Sequence, residues 1–379
     1  MAKIVRKVTK KFFIISNCVV VVAFLLACLA AYLHPQKFWF IAVLGVGFPI
    51  ITAFVLFFIF FWWFFRSRWA FLSLAACIIG WPQLNLVFAW HPFSSFNANQ
   101  KDSSTVRIMQ WNVARLDQMS KNRPGGSHRA KIYAYIKKMN PDVLCLQEFL
   151  ESNNPKLLDE NIPYIKKELG LPYYYFARDH SRYDNLYEHG VAIFSRYPIT
   201  DTLRLRYACS NNRPGESLIY ADVTIKGTTL RVYTTHLQSL RFAGDDYNKL
   251  KQIVNAEDSA LANSKNILKK FRLAYTFRSP QAEMVRRELD SSPYPEIICG
   301  DFNDVPNSFT YSKIKGNRND AFLKGGFGIG RTFTSLSPTL RIDYIMASKK
   351  LQLVQFDRTR TKWSDHYPLV ADFKLPANE

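Results

Sequence analysis

Eight polar residues stand just past, or at the head of, apolar runs in the later part of this chain. They are Asn112, Glu148, His236, Asp301, Asn303, Asp343, Asp365 and His366. The sharpest stretch is Cys299-Gly300-Asp301-Phe302-Asn303-Asp304, which follows the apolar run Glu296-Ile297-Ile298. That run reads as a buried strand, and a glycine after it lets the backbone turn. In α/β sheets, ligand sites gather beyond the carboxyl ends of strands. Asp343 lies between Ile342 and Tyr344-Ile345, and a carboxylate inside an apolar strand is costly unless it is paired. Carboxylates, amides and two histidines in one place suit phosphate-ester hydrolysis, which depends on positioning and on neutralising charge. A hard cation such as Mg²⁺ takes oxygen ligands and one or two carboxylates. Glu148 is the leading ligand candidate, with Asp365 and Asn112 contributing. Histidine moves protons near neutral pH, and a buried aspartate fixes its tautomer. Asp343 suits that role toward His366.

Such residues need strands to carry them. Residues 106–111 alternate apolar and polar as a half-buried strand would, ending at Asn112. Ile132, Tyr135, Ile136 and Met139 form a helical stripe that stops at Asn140-Pro141. Residues 142–146 read as a buried strand leading to Gln147-Glu148. The rhythm continues with a helix over 155–169 and strands over 173–176, 190–195, 217–225 and 229–236. A long polar helix over 245–271 and a shorter one over 280–289 follow. Strands over 295–299, 342–347, 352–356 and 367–373 complete the set. Lys226-Gly227-Thr228 reads as a hairpin turn, so the sheet is expected to be mixed.

The first hundred residues are different. They hold no Asp or Glu and 8 Lys or Arg, whereas residues 101–379 hold 42 Lys or Arg and 30 Asp or Glu. After a basic start (Lys3, Arg6, Lys7, Lys10, Lys11), residues 12–33 are almost wholly apolar. That is long enough to span a bilayer. A second uncharged run at once, 38–65, argues against a cleaved signal peptide. Arg66 and Arg68 interrupt, and 69–90 forms a third segment, with Pro82, Gln83 and Asn85 suggesting a kink. Basic residues mark the cytoplasmic side. Three spans put the rest of the chain on the extracytoplasmic side, and two would put it inside. The expected organisation is a transmembrane anchor over 1–91, a linker over 92–104 and a catalytic domain over 105–379. The six cysteines show no CxxC pair and no zinc-ligand spacing.

Six motifs then occur in one order. They are Trp111-Asn112, Leu146-Gln147-Glu148, Thr235-His236-Leu237, Gly300-Asp301-Phe302-Asn303, Arg341-Ile342-Asp343-Tyr344-Ile345 and Ser364-Asp365-His366-Tyr367-Pro368. With them the chain resembles the endonuclease/exonuclease/phosphatase superfamily, the fold of deoxyribonuclease I. The resemblance implies a two-sheet α/β sandwich, here preceded by a transmembrane helical region, with the site at one rim. It implies Glu148 as the main metal ligand, with Asn112 and Asp365 nearby, and Mg²⁺ (or Mn²⁺) as the cofactor. It implies that Asp301 and Asn303 position or activate water, that His366 binds phosphate or acts as acid/base, and that His236 serves the leaving oxygen. Asp304 has no catalytic role in this reading.

Glu188-His189-Gly190-Val191-Ala192 departs from the Gly-Asn-Ala found in many relatives. The stretch 239–278 is longer and more basic than the fold needs, with Lys249, Lys251, Lys265, Lys269, Lys270, Arg272 and Arg278. It reads as a solvated helix face, or as a basic lid over the site or against anionic lipid headgroups. The substrate stays open between nucleic acid and a phospholipid headgroup, as in a sphingomyelinase. The bilayer is the expected partner. A module that only binds phosphate would lack a catalytic residue, and none of those expected is missing. No charge lies inside the apolar runs, which argues against a transport pathway.

Overall fold

The computed structural model describes residues 1–120, 126–208, 215–240, 260–335 and 337–376. The N-terminal region consists of α1 (Ala2–Cys28), α2 (Trp39–Val46), α3 (Phe48–Phe64), α4 (Ala70–Ile79) and α5 (Trp81–Val87). The stretch Lys3–Ala31 is long and apolar enough to cross a membrane. The two later runs qualify only as bent pairs, α2 with α3 at 67° and α4 with α5 at 68°. Each bend falls at a glycine, Gly47 or Gly80, followed within two residues by a proline. Proline is tolerated in a helix's first turn but cannot supply the N–H that would continue the preceding one. Sequence reading anticipated the second bend from Pro82 and missed the first. Polar residues among these helices pair with each other. Ser73 donates to Asn17 at 2.7 Å and Gln83 donates to the Tyr32 hydroxyl at 2.8 Å.

A short strand β1 (Ala89–Trp90) leads out of the last helix. The remainder is a sandwich of two six-stranded sheets. Its strands are β2 (Thr105–Asn112), β3 (Val143–Ser152), β4 (Tyr173–Arg182), β5 (Tyr187–Ser195), β6 (Ile199–Arg206), β7 (Ser217–Ile225), β8 (Thr228–His236) and β9 (Glu296–Asp301). They continue with β10 (Asn319–Asp320), β11 (Phe327–Gly328), β12 (Asp343–Ala347), β13 (Gln352–Arg358) and β14 (Leu369–Lys374). One sheet runs β13-β14-β2-β3-β5-β4 and the other β10-β12-β9-β8-β7-β6. β2/β3 and β8/β9 pair in parallel and the other neighbours are antiparallel, so the sheets are mixed as expected. β1 pairs outside both sheets with β11.

Val106, Ile108, Val143, Cys145, Ile219, Val232, Ile297, Cys299 and Ile345 meet between the sheets. The outer faces are covered too. α6 (Arg129–Met139) and α7 (Ile162–Glu168) pack over Met109, Trp111 and Leu146. A long helix, α8 (Ala260–Asp290), and α9 (Phe309–Lys315) cover Tyr233, Ile298 and Tyr344. This corrects the reading of β2 as half-buried: all eight of its residues are buried. Even Arg107 is accommodated, by a two-pronged pair with Asp372 at 2.7 and 2.8 Å.

Three further expectations change. The helix expected over 155–169 forms only at Ile162–Glu168. β6 was not foreseen, because its pattern of Arg204 and Arg206 among Leu203 and Leu205 belongs to an edge strand that is mostly half-exposed. The two helices expected around Pro280 are one helix, with Pro280 inside it. Residues 245–259, including Lys249 and Lys251, lie outside the described residues. Proline in a helix frees the carbonyl four residues back, here that of Thr276. That carbonyl accepts a hydrogen bond at 2.8 Å from Gln36, in the turn between α1 and α2. The expected linker, 92–104, is likewise docked. Gln355 bonds the backbone of Asn97 and Gln100.

Candidate active site

The two parallel strand pairs place their carboxyl ends at one rim of the sandwich. In register, Asn112 lies opposite Gln147 in one sheet and His236 opposite Asp301 in the other. β12 runs the other way, so Asp343 at its start pairs with Asp301 at the end of β9. His366 precedes β14 and reaches the same rim. Topology alone thus assembles residues that are far apart in sequence.

Asp301 is the hub, and it is buried at 1% exposure. His236 Nε2 lies 3.5 Å, and His366 Nε2 3.6 Å, from the same oxygen, Asp301 Oδ2. Each histidine is held from behind by a carboxylate on Nδ1. Asp343 Oδ2 stands 2.8 Å from His366 and Glu216 Oε2 stands 2.5 Å from His236. Asp343 Oδ1 accepts from Gln110, and the Trp111 ring N–H donates to the His366 carbonyl at 2.9 Å. The hydrogen bond with Asp343 fixes the orientation of the His366 ring, while Glu216 faces His236 as an ion-pair partner.

Burial works against charging either histidine, but the carboxylates outweigh it. Glu216, Asp301 and Glu148 raise His236 to about 10, and Asp343, Asp301 and Asp365 raise His366 to about 10. Burial and the neighbouring Asp343 push Asp301 up from the ordinary aspartate value, against the pull of the two histidines. The backbone N–H of Asn303 donates to Asp301 Oδ1 at 2.8 Å. Asn303 itself has φ 52°, which asparagine tolerates better than most residues, and its amide donates to the Leu237 carbonyl at 2.9 Å. Asp304 turns away to an ion pair with Arg278 at 3.2 Å.

Glu148 sits where the β3/β5 register shifts between Leu146 and Phe149, with φ 48°. The bulge re-aims its side chain at the rim. Burial opposes its ionisation, but His236, Arg115 and His366 outweigh that and hold its carboxyl below the ordinary glutamate value. The Asn112 amide NH₂ faces Glu148 at 3.4 Å and Asp301 at 3.1 Å, while its Oδ1 accepts from the Ala114 N–H. Asp365 is exposed beside His366 and accepts from Ser364 at 3.3 Å. Asp301, Asp343 and His366 also form a group close enough to hold a cation. Their closeness is already accounted for by the hydrogen bond between His366 and Asp343. Glu148 makes no ion pair among the described residues, and its carboxylate lines an open cavity of about 590 Å³ with Arg115, His180, His189 and His236. An ionised, half-buried carboxylate without a direct cationic partner fits a hard divalent ion.

Two residues escaped the sequence reading. Glu216 follows Pro214-Gly215 and looks like a turn residue. Its signal was hairpin register: Leu218 pairs with Thr235, so Glu216 lies just past the residue facing His236. Arg115 lies in a run of left-handed backbone, Ala114 to Asp117, that no residue pattern announces. The departure noted at His189 is also placed. Its ring lies 4.8 Å from that of His180 in the cavity wall, and burial lowers it to about 4.

Residues 109–366 match the model of the Endonuclease/Exonuclease/phosphatase family. Residues 10–87 match a domain of unknown function (DUF8431). No curated protein matches the sequence. Among solved structures, an endonuclease/exonuclease/phosphatase from Beutenbergia cavernae superposes with a TM-score of 0.52 at 20% identity, covering 72% of each chain. The human Nocturnin catalytic domain, with bound sulfate, gives 0.48 at 22% identity, covering 71% of this chain and 94% of that one. D. rerio TDP2 complexed with single-strand DNA product gives 0.48 at 17% identity, covering 71% and 99%.

Proposed function

The chain belongs to the endonuclease/exonuclease/phosphatase family and is a phosphoric ester hydrolase, and on that premise we propose that it is a divalent-metal-dependent phosphodiesterase held at a membrane. One observation carries the reading most. Two histidines, each backed by its own carboxylate, converge through Nε2 on one oxygen of Asp301.

In this mechanism Asp301, with Asn303 beside it, holds the attacking water and accepts its proton as the water oxygen bonds to phosphorus. His366, oriented by Asp343, donates to a non-bridging phosphate oxygen. The bond from phosphorus to the leaving oxygen breaks, and the His236 Nε2 proton passes to that oxygen. Glu216 stabilises the imidazolium before transfer. General acid–base groups of this kind contribute about 10²–10⁴-fold each. A cation such as Mg²⁺ or Mn²⁺ at Glu148, with Asp365 and Asn112 alongside, would neutralise charge on the phosphoryl oxygens. For Asn112 to offer its oxygen there, its amide must turn over and release the Ala114 N–H.

Residues 1–91 serve as the anchor in this reading, 92–104 as the connection and 105–379 as the catalytic domain. The full chain in detergent is expected to hydrolyse bis-p-nitrophenyl phosphate with Mg²⁺ or Mn²⁺ and to stop when EDTA is added. Turnover that persists without metal would overturn the mechanism.

A further inference from the structure

We propose that the substrate of this site is a phosphate ester carried by a bilayer lipid, gathered at the membrane surface by the basic first half of α8. The inference rests on the hydrolase reading above and adds the substrate class. Three connections between the site and the anchor support it.

The first is the loop after β9. It starts from Asp301 at the end of β9, carries Asn303, and six residues on from Asp301 it reaches Asn307. The Asn307 amide donates at 2.9 Å to the carbonyl of Ala27, in the last turn of α1. Asn307 packs so closely on α2 that a Cβ added to Gly45 would lie 2.7 Å from its carbonyl oxygen. Six residues span at most about 20 Å, so the catalytic rim cannot stand far from the end of the spanning helix.

The second is α8 itself. It touches α2 and, through the carbonyl freed by Pro280, bonds Gln36 in the turn beyond α1. A few residues on, it holds both catalytic loops. Arg278 donates to the Gln238 carbonyl at 2.9 Å and pairs with Asp304 at 3.2 Å, and Gln281 accepts from the Gln238 N–H at 2.9 Å. Gln238 lies two residues past His236, and Asp304 three past Asp301.

The third is charge. From Ala260 to Ala282 the helix contains no Asp or Glu. Lys265, Lys269 and Arg272 are exposed on it, together with Leu273. Cations beside an apolar side chain, on a helix bonded to the outer turn of a membrane bundle, complement phosphate headgroups at the bilayer surface. The same charges would attract nucleic acid, but they lie on a helix that is bonded through Thr276 to the turn after α1, which favours the lipid.

The test uses the full chain reconstituted in phosphatidylcholine vesicles with Mg²⁺. Four substrates are compared: a headgroup-labelled phosphodiester lipid in the same vesicles, its deacylated water-soluble counterpart, a single-stranded oligonucleotide and bis-p-nitrophenyl phosphate. The lipid ester is expected to turn over at least about tenfold faster than its deacylated counterpart, with a rate that follows its surface fraction. Reversing Lys265, Lys269 and Arg272 to Glu should lower the ratio of lipid-ester to bis-p-nitrophenyl phosphate turnover by about tenfold or more. The milder change of all three to Gln should lower it in the same direction. Equal rates on acylated and deacylated esters, or a preference for the oligonucleotide, with bis-p-nitrophenyl phosphate still cleaved, would overturn the lipid assignment and leave the hydrolase intact. No turnover of any substrate would sink both.

Discussion

At the scale of single residues, the site's properties come from pairs rather than from individual side chains. His366 and His236 are both buried, and burial alone would keep them neutral. Their partners Asp343 and Glu216 reverse that. Asp343→Asn preserves shape but removes the charge on Nδ1 of His366. Turnover of bis-p-nitrophenyl phosphate should fall about 10²-fold or more, with KM changed much less. Glu216→Gln should do the same through His236. Steady-state kinetics of both variants would check this, and near-normal kcat in either removes that carboxylate from the mechanism. Asp343 could be singled out from sequence because an apolar strand surrounds it. Glu216 has no such local mark; its signal is the hairpin register that brings it beside His236.

Among elements, β3 shows how a strand end serves two purposes. Glu148 turns to the rim at the bulge, and three residues on Glu151 accepts the backbone N–H groups of Asn161 and Ile162 at the start of α7. Burial is the larger influence on Glu151, and against those bonds it raises the carboxyl from 4.5 to about 7. The folded state therefore holds a proton that the unfolded chain has released between those two values. Its contribution to stability is full below pH 4.5 and is lost as pH rises through 7. Glu151→Gln, neutral at every pH, should gain in Tm relative to the parent from pH 4.5 to 7 and level off above. A constant offset across that range would contradict this.

α8 carries a second prediction. Gln36→Ala should cost about 1 kcal/mol through its lost bond to Thr276. In a Pro280→Ala background, where an N–H can reclaim that carbonyl, the cost should shrink. A double-mutant cycle in detergent measures the coupling, and strict additivity would exclude it. The sequence suggests one helix ending at 271 and another beginning at Pro280, whereas the chain runs through as one helix with Pro280 inside it. The acceptor that the proline freed was satisfied by a residue more than two hundred positions away.

Over the whole molecule, side chains of the two-sheet part bond carbonyls near the ends of the N-terminal helices. Asn307 bonds Ala27, and Arg341, paired with Asp320 at 2.5 Å, donates to the Leu86 carbonyl at 2.7 Å. Helix C-termini favour such donors and cations. These contacts lie beside the turn containing Gln36, whereas the basic N-terminus and Arg66 with Arg68 lie at the other ends of the helices they flank. If the helices cross a membrane as proposed, the positive-inside rule predicts an extracytoplasmic catalytic part. A reporter that works only outside the cytoplasm, fused after Glu379, should be active, and cytoplasmic activity would reverse the orientation.

By itself the sequence determined the chemistry available and the order in which it arrives. Strand-terminal carboxylates, amides and histidines, and an apolar start without acids, are local features, and local patterning makes them legible. Only the tertiary structure decided which groups meet. Parallel pairing of β8 with β9 and antiparallel pairing of β12 with β9 bring His236 and Asp343 to Asp301. A bulge aims Glu148, and a proline-freed carbonyl ties α8 to the turn after α1. Those are contacts across long sequence separations, set by register and by unsatisfied backbone groups, and the residues nearby do not name the distant partner.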